Sequence, residues 1–190
     1  MKFHHKLEIP QLKEIQDELY AYVKDLLESN SKKFIGKPVK SDELINFPVL
    51  LDYLKSISKV PLHKMQPLKF FISAPDVHGS IHMDFDTTSR IALNIPVSGC
   101  KNTFLVYYET DADNIVQENP DPSVAQGYSY VPRDYSRLKL VDRIEFTEPC
   151  LMRTDQLHQS VNSGNEYRVI VTVRWEANRH LTEFEDFVKI

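Results

Sequence analysis

The chain has 190 residues, of which 42% are hydrophobic and 26% charged, and its formal net charge is −4. This composition is typical of an ordinary globular domain and excludes a chain that is mainly disordered or fibrous. Lysine and arginine are scattered along the chain, so we expect neither nucleic acid nor a membrane as a partner. The length predicts one domain over residues 1–190, and it leaves the oligomeric state open.

The expected location follows from two features. No apolar run reaches the roughly 18 residues that cross a membrane, and residues 1–10 lack the apolar centre of a signal peptide, which predicts a cytoplasmic protein. The chain has two cysteines, Cys100 and Cys150. They are too few for a Cys-rich metal site or a disulfide scaffold, so both are expected to be reduced thiols.

Residues 1–66 are predicted to be mainly helical. Apolar residues recur every three or four positions over residues 11–28, which predicts a helix lying against a core. Ser41 begins a second apolar pattern as an N-cap, and this pattern predicts a helix to about residue 58 that Pro48 can split.

Residues 67–176 have a different pattern of short β-rich runs. Helices followed by strands predict an α+β fold. So many short strands in about 110 residues favour a jelly roll or small barrel, with the helices packed on one sheet. The predicted strands cover residues 68–73, 77–84, 90–97, 103–108, 138–146, 150–154, 158–162 and 167–175.

Residues 109–137 interrupt the strands. This segment is acidic, contains prolines and has no clear periodicity, which predicts a long loop that covers a pocket as a mobile lid. Tyr128, Tyr130 and Arg133 lie on it and are candidates for contacting a substrate. A permanently ordered surface excursion is the alternative.

Three of the predicted strands carry polar residues on one face. Alternate strand residues point to opposite faces, so these polar residues face either solvent or the interior of a barrel, while the apolar faces pack under the helices. The polar residues are His82, Asp84, Arg90, Asn94, Arg168, Thr172 and Arg174.

His82 and Asp84 form the basis of a predicted metal site. Their Cα atoms lie roughly 6.6 Å apart on one strand face, close enough for both side chains to bind one ion. His158, on a later strand, can supply a third ligand from across the barrel. Two histidines and one carboxylate leave three positions open on a non-haem Fe(II), as oxygen chemistry requires. The remaining histidines are expected at the surface or in packing: His4, His5, His63, His78 and His180.

Arg168 follows His158 across an Asn-Ser-Gly-Asn sequence that predicts a hairpin turn. A three-residue loop places Arg168 opposite Ser160, on the face of His158 and roughly 8 Å from it. A two-residue loop places the two residues on opposite faces. In the first register a small dicarboxylate could chelate the metal and bind Arg168 at its other end. An exposed strand arginine is the alternative.

These residues resemble the Fe(II)- and 2-oxoglutarate-dependent oxygenases in their His-x-Asp…His…Arg form. The resemblance covers about residues 77–175, through IHMDFD, RIALNIP, LHQSVN and YRVIVTVRW. RIALNIPVSGC is similar to small oxygenase-like proteins of phage and marine bacteria. The resemblance implies a double-stranded β-helix after N-terminal helices. It also implies that His82, Asp84 and His158 bind iron, with Arg168 on the distal carboxylate of 2-oxoglutarate.

One departure from the family concerns the residues around Arg168. Some members have a serine two residues after the arginine, where this chain has Ile170. Thr172, Tyr107 or Asn94 would therefore complete the hydrogen bonds of the carboxylate. Asn94 could equally be a structural amide that binds the backbone.

Arg90 and Arg174 share the inward face by strand alternation. Both are candidates for binding an anionic substrate. Each could equally form an ordinary surface salt bridge.

The resemblance implies a dioxygenase that uses Fe(II), 2-oxoglutarate and O₂ to hydroxylate a small molecule or a peptidyl side chain. Two alternatives are a cupin-like metal protein that does not use 2-oxoglutarate and a non-catalytic jelly-roll protein. Arg168 would point away from the metal in the first, and His82, Asp84 and His158 would not converge in the second.

Overall fold

The computed structural model describes residues 2–29, 34–85, 90–118, 128–175 and 181–189. Most of the described chain is β-strand. The strands are β1 (His4–Lys6), β2 (Phe34–Pro38), β3 (Lys69–Ser73), β4 (Val77–His78), β5 (Met83–Phe85), β6 (Ile91–Ser98), β7 (Thr103–Glu109), β8 (Ile115–Glu118), β9 (Tyr128–Pro132), β10 (Lys139–Glu145), β11 (Cys150–Arg153), β12 (His158–Asn162) and β13 (Arg168–Arg174).

The helices are few and short apart from the first. Pro48 stands at the first turn of α2, where its missing N–H costs no helical hydrogen bond. The segment before it is therefore a separate 3-10 helix, and the predicted second helix is split at this proline. The α-helices are α1 (Leu12–Ser29), α2 (Pro48–Ile57) and α3 (Phe184–Phe187), and the 3-10 helices cover Ser41–Asn46, Leu62–Lys64, Ala112–Asn114 and Tyr135–Arg137.

Two antiparallel sheets form the body of the domain. The large sheet has the order β1-β11-β6-β13-β3-β2, and the small sheet has the order β10-β7-β12-β4. A third sheet, β5-β9-β8, continues from the small one. The last four strands, β10 to β13, alternate between the small and the large sheet, as in a double-stranded β-helix, and with the N-terminal helices they form an α+β fold. The predicted fold class is confirmed.

The helices cover the outer face of the large sheet. Ile15, Leu19 and Val23 form the buried stripe of α1, and they join one apolar core with alternate residues of β6 and β13. Leu93 and Val171 are typical members, fully buried on the face that points to the helices. The prediction that the apolar strand faces pack under the helices is therefore confirmed for these two strands.

A second apolar cluster lies between the two sheets, and we call it the inter-sheet cluster. It draws residues from β6, β11 and β13 of the large sheet and from β7 and β10 of the small one, so it fills the interior of the sandwich. Its buried residues are Ala92, Leu105, Tyr107, Ile144, Phe146, Cys150, Met152 and Ile170.

The prediction of an irregular loop over residues 109–137 is wrong for the described part of that segment. β8 and β9 pair with each other, and β9 also pairs with β5. Ile115, Val116 and Val131 provide the short apolar pattern that supports this pairing, but acidic residues and prolines dominate the composition around them. Residues 119–127 lie outside the described residues, and the role of the segment as a lid stays a prediction.

The predicted hairpin of β12 and β13 is also wrong, because the two strands belong to opposite sheets. β12 pairs with β7 and β4, whereas β13 pairs with β6 and β3. Residues 163–167 cross between the sheets. Local turn residues specify a change of direction, but the partner strands are chosen by long-range pairing.

Asn162 holds this crossing in place. Its buried amide nitrogen lies 3.1 Å from the Ser73 carbonyl, 2.9 Å from the Ala74 carbonyl and 3.0 Å from the Glu166 carbonyl. Its amide oxygen accepts a hydrogen bond from the backbone N–H of Gly164 at 3.0 Å. The side chain therefore joins the end of β12 to the end of β3 and to the chain that leads into β13.

We expect Asn162→Ala to lower the free energy of unfolding by about 2 to 4 kcal/mol, because it leaves several buried backbone groups without partners. Denaturant unfolding measures the loss. Asn165→Ala is the matched control, since Asn165 is exposed in the same turn and should change stability by less than about 0.5 kcal/mol. Equal effects of the two substitutions would contradict this role of Asn162.

Among the described helices, none is long and apolar enough to cross a membrane. Both cysteines are free thiols, as predicted. Burial raises the pKa of Cys150 to about 12 and that of Cys100 to about 11, so both thiols are protonated at neutral pH.

Candidate functional site

The structure brings His82, Asp84 and His158 together at one end of the sandwich. His82 lies between β4 and β5 and forms a β-bridge with His158, the first residue of β12. The backbone N–H of each donates to the carbonyl of the other, at 3.0 Å and 2.8 Å. Asp84 follows on the same face of β5. The sequence pattern thus places two side chains on one strand segment and the third directly opposite.

The side chains of these three residues converge. One ligand atom from each lies within 4.8 Å of the others, and His82 Nε2 is 3.4 Å from Asp84 Oδ1. The spread is comparable with the roughly 4 Å between opposite ligands of an ion that makes bonds of about 2.1 Å. Two imidazole nitrogens and a carboxylate oxygen form a donor set that suits Fe(II). The residues present therefore fit a mononuclear metal ion.

Hydrogen bonds to the backbone orient both imidazoles. Nδ1 of His82 lies 3.0 Å from the Ser80 carbonyl, and Nδ1 of His158 lies 2.8 Å from the Gln156 carbonyl. A carbonyl only accepts, so each Nδ1 carries a proton. The Nε2 lone pair of neutral His158 is then available for a metal, whereas His82 Nε2 faces the Asp84 carboxylate and must release any proton it shares there before it can bind an ion. Such partners commonly fix the tautomer of metal-binding histidines.

Arg174 binds the third side chain. Its guanidinium donates to Oδ2 of Asp84, while Oδ1 of the same carboxylate faces His82. This contact leaves one oxygen of Asp84 directed at the site and engages the other. The sequence left Arg174 open between an anionic substrate and a surface salt bridge, and in the structure it forms a salt bridge with Asp84 that is mostly shielded from solvent.

The pKa shifts of His158 and Asp84 favour the metal-binding forms of these side chains, whereas that of His82 favours the protonated form that pairs with Asp84. Burial lowers the pKa of His158 to about 4, with the nearby His82 adding to the effect, so His158 is neutral at pH 7. Burial works to raise the pKa of Asp84, but the charge of Arg174 and the hydrogen bond from His82 outweigh it and hold that pKa well below its usual range. Burial also works to lower the pKa of His82, and Asp84 reverses the shift, so that pKa is raised.

Arg168 begins β13 and points into the interior between the sheets. Only 1% of the residue is exposed, and its Cζ lies 5.7 Å from the ring centroid of Phe146 in the inter-sheet cluster. Within the described part of the chain, no group bonds its Nε or Nη1. Burial lowers the pKa of Arg168 to about 10, so the guanidinium is still charged at neutral pH.

His158 and Arg168 border the same interior space. The ring of His158 lies 6.2 Å from that of Tyr107, which belongs to the inter-sheet cluster. Ile170, two residues after Arg168 on the same face, belongs to it as well. The prediction that His158 and Arg168 share one face of a hairpin, with Arg168 opposite Ser160, is wrong, because the two residues lie on different sheets and face the space between them.

The three residues predicted to complete the Arg168 site have other partners. Thr172 donates to Oδ1 of Asn94 at 2.6 Å, and the Asn94 amide contacts the sulfur of Met152. The Tyr107 hydroxyl donates to the backbone carbonyl of Phe3 at 3.0 Å. The N-terminal segment therefore takes up the hydroxyl of Tyr107.

The other predicted substrate contacts lie on β9 or at strand ends. Arg90 and Arg133 are exposed and stand just outside β6 and β9. Tyr130 is half-buried and pairs with Met83 of β5. Tyr128 lies on the same strand, and its side chain is outside the description.

The sequence reasoning missed two features of the site. The backbone carbonyls that orient the histidines give no side-chain signal. The position of Arg174 does give a side-chain signal, because Arg174 lies six positions after Arg168 on the same strand and so shares its face. That signal predicts an inward side chain without indicating its partner.

Comparison with known proteins gives similarity in fold. No protein-family model and no curated protein matches the chain. Among solved structures, the non-haem alpha-ketoglutarate-dependent carbocyclase SnoK from nogalamycin biosynthesis has 10% identity and a TM-score of 0.51, over 90% of this chain and 78% of SnoK. A Trichoplax adhaerens prolyl hydroxylase in complex with a peptide has 7% identity and a TM-score of 0.50, over 91% of this chain and 82% of the enzyme.

A third similarity is to an oxalate oxidase in complex with glycolate, at 12% identity and a TM-score of 0.39. The alignment covers 79% of this chain and 54% of the oxidase. The chain thus spans about half the length of the oxalate oxidase that it matches. Together with the strand order, SnoK and the prolyl hydroxylase show that the chain has a cupin-type double-stranded β-helix fold.

Proposed function

We propose that this protein is a non-haem Fe(II)- and 2-oxoglutarate-dependent dioxygenase that hydroxylates a small-molecule or peptidyl substrate. The observation that carries the proposal is the buried Arg168. Its guanidinium lacks partners on two of its nitrogens and faces the interior that the His82, Asp84 and His158 side chains also border. A buried charge without partners is costly, which favours an anionic ligand.

In this proposal His82, Asp84 and His158 hold the iron. When bound, Fe(II) together with 2-oxoglutarate and O₂ supplies the oxidising power for attack on an unactivated C–H bond. The protein contributes orientation. The Ser80 and Gln156 carbonyls fix the two imidazole rings, so that each Nε2 is presented to the ion without loss of rotamer entropy on binding.

Arg174 would ensure that Asp84 binds the ion through only one of its two carboxylate oxygens. Because the guanidinium engages Oδ2, only Oδ1 is left for the ion. A second oxygen of Asp84 on the ion would use a position that the cosubstrate or O₂ needs. Three protein ligands and three open positions are the arrangement on which this chemistry depends.

Arg168 would bind the distal carboxylate of 2-oxoglutarate. Charge-assisted hydrogen bonds from a guanidinium are stronger than neutral ones and match the geometry of a carboxylate. The apolar ring of Phe146 beside the guanidinium excludes water from this contact. A low local dielectric strengthens the ion pair.

The similar solved structures also support the proposal. SnoK depends on alpha-ketoglutarate, the older name of 2-oxoglutarate, and the second similar structure is a prolyl hydroxylase. The two alternative functions require that Arg168 point away from the metal or that His82, Asp84 and His158 not converge. The convergence of His82, Asp84 and His158 counts against the non-catalytic protein, and the burial of Arg168 between the sheets counts against the cupin-like protein in which it points away from the metal.

Oxidation of 2-oxoglutarate tests the proposal. We expect the Fe(II)-loaded protein, with a matching substrate from a panel of amino acids and peptides, to convert 2-oxoglutarate and O₂ to succinate and CO₂, with one oxygen atom in succinate and the other in the hydroxylated product. Without substrate the second oxygen atom must be reduced to water by an added two-electron reductant such as ascorbate, and we expect this reaction to be slow. Succinate is measured by NMR. The metal-free protein and His158→Ala are the controls. Succinate production no higher than in these controls under every condition would contradict the proposed function.

A further inference from the structure

Ser73 is a second buried polar residue without a partner at the Arg168 end of the interior. It is the last residue of β3, it is 2% exposed, and no described group bonds its hydroxyl. A buried hydroxyl without a partner costs free energy, and native structures rarely keep one without a reason.

Ser73 and Arg168 are directly paired on neighbouring strands. β3 and β13 are antiparallel, and their register places Ser73 opposite Arg168. Paired residues have Cβ atoms about 4.5 to 5.5 Å apart. The two side chains therefore start from neighbouring positions on one face of the sheet.

Both side chains belong to the face of the large sheet that looks into the interior. Phe70 and Ile72 of β3 pack in the core under the helices, whereas Phe71 packs against the inter-sheet cluster. Ser73 is two residues beyond Phe71 and so shares its face. Ile170 of the inter-sheet cluster is two residues after Arg168, so Arg168 faces the interior as well.

The unbonded groups of Arg168 and Ser73 can all donate a hydrogen bond. Nε and Nη1 of Arg168 carry protons and accept nothing, and the Ser73 hydroxyl can donate. Nε and Nη1 lie on different edges of the guanidinium, so one acceptor with two oxygens and a negative charge can engage one of them together with the Ser73 hydroxyl. A carboxylate has this chemistry.

Competing donors for the same carboxylate are already engaged. Thr172 donates to Asn94, and Tyr107 donates to the Phe3 carbonyl. Ile170, two residues after Arg168 on the same face, offers no donor. Ser73 supplies a hydroxyl from the adjacent strand.

The backbone around Ser73 is held rigidly. Asn162 donates to the Ser73 and Ala74 carbonyls and to that of Glu166, just before Arg168. The same side chain thus anchors the chain on both sides of the Ser73–Arg168 pair. A rigid pair of donors binds an anion with a smaller loss of entropy.

We propose that Ser73 donates a hydrogen bond to the distal carboxylate of the cosubstrate and forms, with Arg168, a clamp that selects 2-oxo acids with a second carboxylate. This inference rests on the proposed function, since it assigns the distal end of the same cosubstrate. The inference concerns specificity, because a 2-oxo acid without the distal carboxylate cannot accept the hydrogen bond from Ser73.

The test compares two ligands in two proteins. Affinities of 2-oxoglutarate and 2-oxopentanoate, which has a methyl group in place of the distal carboxylate, are measured anaerobically by calorimetry on the Fe(II)-loaded wild type and Ser73→Ala. We expect Ser73→Ala to weaken 2-oxoglutarate by about 10- to 100-fold, as for a hydrogen bond to a charged group. The affinity of 2-oxopentanoate should stay unchanged.

Two further measurements separate this role from a structural one. Because the hydroxyl has no partner before the ligand binds, Ser73→Ala should not lower the Tm of the ligand-free protein, and it should reduce the rise in Tm that 2-oxoglutarate causes. Ser73→Thr keeps the hydroxyl and should retain most of the affinity. Ser56→Ala, on α2 and far from the interior, is the control.

The outcomes are distinct. Equal 2-oxoglutarate affinity in wild type and Ser73→Ala, or equal weakening of both ligands, would overturn the role of Ser73 and leave the proposed function standing. Failure of the Fe(II)-loaded wild type to bind 2-oxoglutarate would overturn the proposed function and, with it, this inference.

Discussion

Asp84→Ala is expected to weaken Fe(II) binding by more than about 100-fold, because loss of a mere supporting partner of a metal ligand already costs 10- to 100-fold. The substitution removes the only carboxylate of the three converging side chains and the negative charge that attracts the ion. Anaerobic calorimetry with Fe(II), or with a redox-inert divalent ion in its place, measures the affinity.

Two further variants complete this experiment. Asp84→Asn preserves the shape of the side chain and the contact with Arg174 while it removes the charge, so a large loss in this variant assigns the effect to metal binding. Asp142→Ala removes a carboxylate that pairs with His4 away from the site and should leave Fe(II) binding unchanged. Fe(II) affinity equal to that of the wild type in Asp84→Ala would mean that the assigned ligand set is wrong.

Arg168→Gln is expected to keep the metal and lose the cosubstrate. The neutral side chain leaves a buried carboxylate without its charge-assisted bonds, which costs about 2 to 5 kcal/mol of 2-oxoglutarate binding. Binding is measured by anaerobic calorimetry on the Fe(II)-loaded variant. Because Arg168 is buried with two unbonded nitrogens, the substitution should not lower the Tm of the ligand-free protein.

Arg143→Gln is the matched control for Arg168→Gln. Arg143 lies on β10 with its guanidinium 3.6 Å from the ring centroid of Phe104, so its loss removes a positive charge outside the inter-sheet cluster. The control variant should bind 2-oxoglutarate as the wild type does. Undiminished affinity in Arg168→Gln would move Arg168 to another role and favour a cupin-like metal protein.

The sequence predicted much of the fold because its hydrophobic periodicity is strong. The alternation in β6 and β13 separates a face under the helices from a face in the interior, and the structure has both. β1 and β2 were missed because short edge strands carry little alternation. β8 and β9 were missed because acidic residues and prolines obscure a pattern of only four or five residues.

The residues of the candidate site could be predicted from the sequence where side-chain chemistry and the alternation of side chains along a strand were enough to place them. His82 and Asp84 share a face by their spacing alone, whereas the predicted hairpin placed Arg168 on the sheet of His158 and the structure places it on the opposite sheet. Ser73 was not predictable. Its position depends on the register of β3 against β13, two strands that are about a hundred residues apart in the chain, and no local pattern specifies such a long-range pairing.

The most direct test of the central claim is an anaerobic titration of the metal-free protein, first with Fe(II) and then with 2-oxoglutarate, followed by visible absorption. Fe(II) alone is expected to give no visible band, and 2-oxoglutarate is expected to produce the charge-transfer band of its chelate at one equivalent per chain. Fe(II) binding that is followed by no visible change on addition of 2-oxoglutarate would contradict the account.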